Sequence, residues 1–187
     1  MLTDRMEGGI DMSTTYGGLN YRITQVSLVV RDIDSTMAAY HEAFGWGPWK
    51  VYDHVPPAHH DTQIDGEPAE FSLRGAEVMV GDMNFELLQP LSGPSKWQEF
   101  LDTHGEGIMS IAVMFDTAEE SDKCKRAFAE HGIDVTMRAR IGDHIEYYYL
   151  NTQPRFKCPI ESGSGHALDY MKPAYTYPPT AGDTGTG

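Results

Sequence analysis

The hexapeptide Phe85-Glu86-Leu87-Leu88-Gln89-Pro90 decides the fold, because the chain repeats it near the C-terminus. The copy is Leu168-Asp169-Tyr170-Met171-Lys172-Pro173, in which the apolar, acidic, polar and proline positions recur in the same order. A second echo links Ile23-Thr24-Gln25-Val26-Ser27-Leu28 to Ile108-Met109-Ser110-Ile111-Ala112-Val113. Since both echoes are spaced by about 85 residues, the sequence predicts two copies of one structural unit.

Helix-capping signals divide each copy into the same order of elements. Asp32 and Gly45 are typical of the two ends of a first helix, and Thr117 and Gly132 of a second one. Apolar, strand-like runs lie before and after each helix. Each copy is therefore predicted to be a βαβββ module, which places the chain in the α+β class.

The module boundaries follow from these elements. We predict a first module over residues 21–91, a linker helix within residues 92–105 and a second module over residues 106–173, whose closing strand is residues 167–171. Residues 1–20 lack apolar periodicity and are predicted to be a mobile arm. Residues 174–187, rich in Pro, Thr and Gly, are predicted to be a disordered tail.

The charge of the chain limits its partners. The formal net charge of −14 disfavours nucleic acid and anionic membrane surfaces, so we expect neither as a partner. The two cysteines are not arranged in a CxxC pair, and the sequence shows neither a secretory signal nor a membrane-spanning apolar run. We therefore expect a cytoplasmic protein, and a small molecule as its partner.

The repeat also places four polar residues at equivalent positions of the two modules. Gln25 and Ser110 lie on the first strands, and Glu86 and Asp169 on the predicted closing strands. Two carboxyl groups that share an apolar cavity cannot both ionise at low cost, so one is expected to act as an acid and the other as a base. Gln25 and Ser110 are expected to hydrogen-bond to a substrate.

Other candidates come from the aromatic and histidine content. Trp49, Tyr52 and Phe71 are expected to contact an apolar or aromatic ligand, although core packing accounts for about half of such rings. His144 and Tyr148 alternate onto one face of a predicted strand and are further catalytic candidates, while the opposite face is an open alternative. His54, His59 and His60 are expected in a solvated or lid loop.

The paired modules, the FELLQP strand and the segment His104-Gly105-Glu106-Gly107-Ile108 resemble the vicinal oxygen chelate superfamily of glyoxalases, bleomycin resistance proteins and dioxygenases. Within it, the methylmalonyl-CoA epimerase-like branch is the most similar. The resemblance implies a cup-shaped mixed sheet with flanking helices, a homodimer and, in many members, a divalent metal. An acyl-CoA ligand fits poorly with the acidity of this chain.

The resemblance further implies that the metal positions correspond to Gln25, Glu86, Ser110 and Asp169. Neither of the two positions that commonly hold histidine holds it here, and amide or hydroxyl oxygens are weak ligands for transition metals. We therefore expect no cofactor, with loosely bound Mg²⁺, Mn²⁺ or Ca²⁺ as the alternative.

The expected function is that of an isomerase, epimerase or lyase that acts on a hydrophobic carbonyl compound or another small organic molecule by carboxylate acid/base chemistry. The alternative is a non-catalytic binding or resistance protein that sequesters an aromatic molecule in the same cup.

Overall fold

The computed structural model describes residues 15–180. Their elements fall into an N-terminal hairpin, two modules and a C-terminal strand. The hairpin is β1 (Thr15–Tyr16) and β2 (Leu19–Asn20). The first module contains β3 (Gln25–Val29), α1 (Ile33–Phe44), β4 (Trp49–His54), β5 (His59–Ile64), β6 (Glu67–Pro68), β7 (Ser72–Val80) and β8 (Met83–Ser92).

The linker helix is α2 (Lys96–His104). The second module contains β9 (Gly107–Phe115), α3 (Ala118–Glu130), β10 (Val135–Ile141), β11 (Ile145–Leu150), α4 (Gln153–Phe156), β12 (Ile160–Ser164) and α5 (Ala167–Tyr170). Strand β13 (Tyr175–Tyr177) completes the described chain.

The two modules meet at the centre of one mixed sheet. In the described residues this sheet has 11 strands in the order β13-β4-β7-β8-β3-β9-β12-β11-β10-β5-β6. The central strands β3 and β9 are antiparallel, and each has a parallel neighbour, β8 and β12 respectively. This arrangement relates the modules by a pseudo-twofold axis and confirms the predicted α+β class.

Local signals set the helix ends as predicted. The Asp32 side chain accepts a hydrogen bond from the backbone N–H of Ser35, and Gly45 ends α1 in the left-handed conformation. At the start of α3 the Thr117 hydroxyl accepts a hydrogen bond from the backbone N–H of Glu120 and donates one to the Glu120 carboxylate. Between residues 15 and 180, no helix is long and apolar enough to cross a membrane.

Helices α1 and α3 lie on one side of the sheet, and the cup with the linker helix α2 lies on the other. A core cluster containing Trp49, Met37 and Ile33 packs α1 against the first half of the sheet. A second cluster lies in the cup, under the linker helix, and contains Tyr52, Phe71, Trp97, Tyr147 and Tyr149. Large rings therefore form the floor and wall of the cup.

The closing strand of the second module is β12, and the prediction of residues 167–171 as that strand is wrong. Residues Ala167–Tyr170 form the short helix α5 after β12 has ended. The Leu168–Pro173 segment therefore has the residue types of FELLQP but does not pair as a strand with β9. The parallel position beside β9 is already occupied by β12.

The segment expected to be a solvated histidine loop also differs. His54 ends β4 and His59 begins β5, and both are buried. Strand β5 crosses to the second half of the sheet, where it pairs with β10. The prediction is wrong for these two residues because a long-range strand pairing, which local composition does not reveal, buries them; His60 is half-buried.

Both predicted flexible ends contain ordered structure. In the arm, the hairpin β1–β2 places a buried Leu19 against Phe115 and Cys124. In the tail, β13 pairs with β4, and the Tyr175 hydroxyl donates a hydrogen bond to Asp34. The predictions are wrong for these segments, and the remainder, residues 1–14 and 181–187, lies outside the described residues.

Truncation after Pro173 is expected to lower the midpoint of thermal unfolding by roughly 5 °C or more. The truncation removes β13 and with it two half-buried tyrosines that pack on the α1 core. A truncation after Thr180, which retains β13, is the matched control. Equal melting temperatures for the two truncated proteins, measured by circular dichroism, would contradict a stabilising role for β13.

Candidate functional site

The concave face of the sheet encloses a small cavity beneath the linker helix. Its volume is about 50 Å³, enough for about three to five water-sized groups. Its polar lining consists of Gln25, His54, Glu77, Glu86, Glu161 and His166, and its apolar lining includes Trp97, Tyr147 and Tyr149. No lysine or arginine lines it among the residues described. Three carboxyl groups thus share one enclosed space without a cationic side chain in its wall.

Glu86, on β8, is held by a directional hydrogen-bond network. Its Oε2 accepts from Gln25 Nε2 at 2.6 Å and from Ser27 Oγ at 2.7 Å. Gln25 is oriented in turn by Asn84, whose Nδ2 donates to Gln25 Oε1 at 3.0 Å. Because Oε2 is already occupied by two donors, the other oxygen, Oε1, is the one available for a proton or a substrate.

Glu161, on β12, is held by aromatic groups instead. Its Oε2 accepts from the Tyr149 hydroxyl at 2.8 Å, and Trp97 Nε1 donates to the same hydroxyl at 3.0 Å. The Tyr149 proton is therefore directed at Glu161, since its oxygen already accepts from the indole. Glu161, like Glu86, has one fixed oxygen and one oxygen free of these bonds.

Strand register shows that the two glutamates are equivalent. On the first side Ser27 of β3 faces Glu86 of β8, and on the second Ala112 of β9 faces Glu161 of β12. The pseudo-twofold axis relates Ser27 to Ala112 and Gln25 to Ser110, because Ser27 pairs with Ser110 and Gln25 with Ala112 across the centre. The counterpart of Glu86 is therefore Glu161.

Burial and mutual repulsion hold protons on these groups. Burial raises the pKa of Glu86 well above its ordinary value, and the nearby Glu161 and Glu77 raise it further. Burial likewise raises the pKa of Glu161 to about 7, although the hydrogen bond from Tyr149 opposes the shift. At neutral pH, Glu86 is thus the acid of the pair and Glu161 the group closer to ionisation.

Glu77, on β7, lies at the opening of the cavity. It also lines an outer groove of about 550 Å³, and His166 is shared by the two spaces in the same way. Asn84 Nδ2 donates to Glu77 Oε2 at 2.7 Å. Burial raises the pKa of Glu77 to about 7. Glu77 therefore marks the passage from the outer groove to the inner carboxyl pair.

A buried histidine orients a second phenol of the cup. His59 Nδ1 lies 3.1 Å from the carbonyl oxygen of Phe71, which can only accept, so Nδ1 carries the proton. His59 Nε2 then accepts from the Tyr147 hydroxyl at 2.7 Å. Burial lowers the pKa of His59 to about 4, so the ring is neutral at physiological pH. Tyr147 consequently presents its oxygen lone pairs, and not its proton, to the cavity.

The structure brings together some of the residues chosen from sequence. Gln25 and Glu86 line the cavity. Ser110 is fully buried at the strand pair between the two glutamates, and its Oγ has no hydrogen-bond partner. Tyr52 and Phe71 belong to the core cluster of the cup without lining the cavity itself.

Other candidates lie elsewhere. Asp169 lines the outer groove from α5 and is absent from the inner cavity. Tyr148 faces α3, where its hydroxyl donates to the Ser121 carbonyl, because the opposite face of β11 is the one that enters the cup. His144 stacks on Tyr170 at the surface, and Trp49 is core behind the sheet. The prediction that these four residues lie in the cup is therefore wrong.

The donor set fits a transition metal poorly. Gln25 turns its amide nitrogen, and not its oxygen, toward Glu86, since the oxygen is bound by Asn84. Ser110 supplies only a hydroxyl, and Asp169 lies outside the inner cavity. Within residues 15–180 no three histidine, cysteine or acidic side chains are arranged to hold a metal ion. No step of the chemistry below is routed through a metal.

The paired modules, joined at the centre of one sheet that forms a cup, define a protein of the vicinal oxygen chelate class. A model of the "Glyoxalase/Bleomycin resistance protein/Dioxygenase superfamily" matches residues 24–149, and the chain belongs to this superfamily. The resemblance inferred from sequence is thereby confirmed. A search of curated protein sequences finds no match.

Solved structures show the same fold at low sequence identity. A methylmalonyl-CoA epimerase from Mycobacterium tuberculosis is 20% identical, covers 79% of this chain and 90% of its own, and has a TM-score of 0.54. A variant methylmalonyl-CoA epimerase from Streptomyces coelicolor in complex with 2-nitronate-propionyl-CoA is 19% identical, with coverages of 78% and 95% and a TM-score of 0.56. A hypothetical protein from Bacillus halodurans is 18% identical, with coverages of 78% and 94% and a TM-score of 0.55.

Proposed function

We propose that the protein is an isomerase or epimerase that moves a proton at a carbon next to a carbonyl group in a small, mainly apolar molecule. The observation that carries this proposal is the pair of buried carboxyl groups, Glu86 and Glu161, on equivalent strands of one cavity. Two carboxyl groups with separated proton affinities are the equipment that such a reaction requires. A homodimer in the cytoplasm is part of the same proposal.

The roles follow from the proton affinities of the two groups. Ionised Glu161 takes the proton as the carbon–hydrogen bond breaks, and the bonding electrons move into the carbonyl to give an enolate. Protonated Glu86 then returns a proton to the same carbon through its free Oε1, so the two groups exchange roles in the reverse direction. The Ser110 hydroxyl is fully buried beside Glu161, where it opposes the rise that burial causes in the pKa of this base.

The sizes of the two spaces indicate where each part of the substrate binds. The inner cavity of about 50 Å³ accepts only the reacting end, while the outer groove of about 550 Å³ can hold the remainder. Trp97, Tyr147 and Tyr149 wall the inner space and exclude water from the carboxyl pair. Lyase chemistry would begin with the same proton abstraction and end with loss of a leaving group.

Sequestration without turnover is the second candidate function. It is favoured by the closed hydrogen-bond network, in which one oxygen of each inner glutamate is already bound by protein donors. Such a network stabilises a binding cup even if no proton is moved. The two functions differ in whether a bound carbonyl compound exchanges its α-hydrogen with solvent.

Deuterium incorporation from heavy water tests this function. We expect the protein to catalyse exchange at the α-carbon of at least one member of a panel of apolar and aromatic ketones and thioesters, detected by mass spectrometry. The exchange should persist after chelator treatment, with metal content determined by elemental analysis. Tight binding of a panel member without exchange would favour sequestration, and exchange that depends on one equivalent of a transition metal would contradict the carboxylate mechanism.

A further inference from the structure

The passage between the outer groove and the inner cavity is rich in buried hydrogen-bond acceptors. Glu77 lines both spaces and is 5% exposed. Asn84 is also 5% exposed, and its Nδ2 is committed as a donor to Glu77 Oε2 and to Gln25 Oε1. The amide is therefore fixed in orientation, and its Oδ1 is left buried without a partner. An unpaired buried carbonyl oxygen next to a buried carboxyl group calls for a donor from outside the protein.

A second unpartnered group lies near Glu77, although it lines neither the groove nor the cavity. The Tyr52 hydroxyl is buried without a hydrogen-bond partner, and it lies close enough to Glu77 and Asp169 for both carboxyl groups to raise its pKa after burial, which is the larger cause. Tyr52, Glu77 and Asn84 come from three neighbouring strands, β4, β7 and β8. Each of these three strands thus contributes a buried oxygen atom.

Burial raises the pKa of Glu77, and the nearby Lys50 only partly opposes this rise. Arg22 and Lys50 line the outer groove, together with Asp82 and Asp169. Lys50 lies opposite Glu77 in the strand register, but among the ion pairs of the described residues none involves Glu77. The inner cavity beyond has carboxyl groups and no lysine or arginine. An anionic group that enters here would meet hydrogen-bond acceptors, whereas a cationic donor would supply the hydrogen bonds that these acceptors lack.

We propose that Glu77 and Asn84 form a specificity subsite for a protonated amine on the substrate, so that the preferred substrate class is an amine-bearing, otherwise apolar carbonyl compound. This inference rests on the proposed function for the reacting carbon. The ammonium group donates to Glu77 and to Asn84 Oδ1. The adjacent carbon then reaches Glu86 and Glu161 in the inner cavity, whose aromatic walls also favour a cation.

Binding of three ligands of matched shape tests the subsite without requiring turnover. Isothermal titration calorimetry of the full chain at pH 7.5 would compare phenethylamine, phenethyl alcohol and 3-phenylpropionate. We expect the amine to bind at least about tenfold more tightly than the alcohol, since one charge-assisted hydrogen bond contributes a factor of this order. The carboxylate should bind more weakly than the alcohol. Equal affinity for amine and alcohol, or preference for the carboxylate, would overturn the proposal.

Substitutions test whether Glu77 is responsible for the preference for the amine. Glu77→Gln keeps the size of the side chain and should remove the preference for the amine while leaving alcohol affinity within about threefold. Glu130→Gln, which removes an exposed charge that lines neither the groove nor the cavity, is the control and should alter amine affinity by less than about threefold. Retained preference in Glu77→Gln would overturn the proposal. If that variant does not fold, the three-ligand comparison on the unmodified chain decides the question.

The outcomes are distinguishable from those of the exchange experiment. Absence of amine preference together with α-exchange in neutral ketones would leave the proposed function intact and remove the subsite. Amine preference that depends on Glu77, without exchange in any ligand, would retain the subsite in a sequestration protein.

Discussion

Glu161→Gln is expected to lower the rate of α-proton exchange by at least about a hundredfold, with substrate affinity changed much less. The substitution keeps the size of the side chain and its bond from the Tyr149 hydroxyl, but it removes the group that accepts the proton. Glu86→Gln should produce a loss of similar size, because it removes the partner acid. Exchange kinetics on the substrate found by deuterium incorporation would measure both effects.

The pH dependence should identify the base. In the unmodified protein the base must be ionised, so the rate should rise as the pH increases through about 7, the value to which burial raises the pKa of Glu161. It should fall again at the higher pH where Glu86 loses its proton. In Glu161→Gln the residual activity should lack the rise near pH 7.

Matched substitutions separate this role from a general loss of charge. Glu130→Gln, at the exposed end of α3, should leave the exchange rate unchanged. Asp169→Asn should alter KM more than kcat, because Asp169 lines only the outer groove. A hundredfold loss of kcat in Asp169→Asn together with normal turnover in Glu161→Gln would contradict the assignment and restore the one suggested by the sequence repeat.

The elements with local signals could be predicted from the sequence. Asp32 and Gly45 delimit α1 through contacts made within a few residues, and so does Thr117 at α3. The equivalence of Gln25 and Ser110 was also readable, because the first strands of the two modules have similar apolar patterns. Half of the site follows from these positions, including Glu86 on the strand that contains Phe85-Glu86-Leu87-Leu88.

The other half depends on pairings that no local pattern shows. Strand β12, with the sequence Ile160-Glu161-Ser162-Gly163-Ser164, is short and poor in β-branched residues, so its strand character comes from its neighbours β9 and β11. The one available signal was an apolar residue followed by glutamate, as in Phe85-Glu86. His59 likewise becomes buried only because β5 pairs with β10, which lies 70 or more residues away.

Gly163→Ala is expected to lower the midpoint of thermal unfolding by roughly 6–12 °C, corresponding to about 3 kcal/mol or more for a chain of this length. A Cβ atom at Gly163 would lie 2.0 Å from the carbonyl oxygen of Glu146 and 2.9 Å from the Cα of Tyr147. Both atoms belong to the backbone of β11, so the overlap cannot be relieved by rotation of a side chain. The two strands would have to separate.

Gly142→Ala is the matched control for this effect. Gly142 also has a positive φ, of 54°, but a Cβ atom there meets nothing within 4 Å, so only the conformational cost of about 1–2 kcal/mol remains. The difference between the two variants isolates the close approach of β11 and β12. Equal melting temperatures for the two variants would show that this approach is not tight in the folded protein.

The Gly163→Ala variant also tests whether the spacing of β11 and β12 positions Glu161. Glu161 lies two residues before Gly163 on β12, and its Oε2 is held by Tyr149 of β11, the residue opposite it in the strand register. Separation of these strands would therefore loosen the hydrogen bond that fixes Glu161. At a temperature where Gly163→Ala is still folded, we expect its exchange rate to fall more than that of Gly142→Ala. An unchanged rate in a strongly destabilised Gly163→Ala would indicate that Glu161 is positioned by the cup wall rather than by the spacing of these two strands.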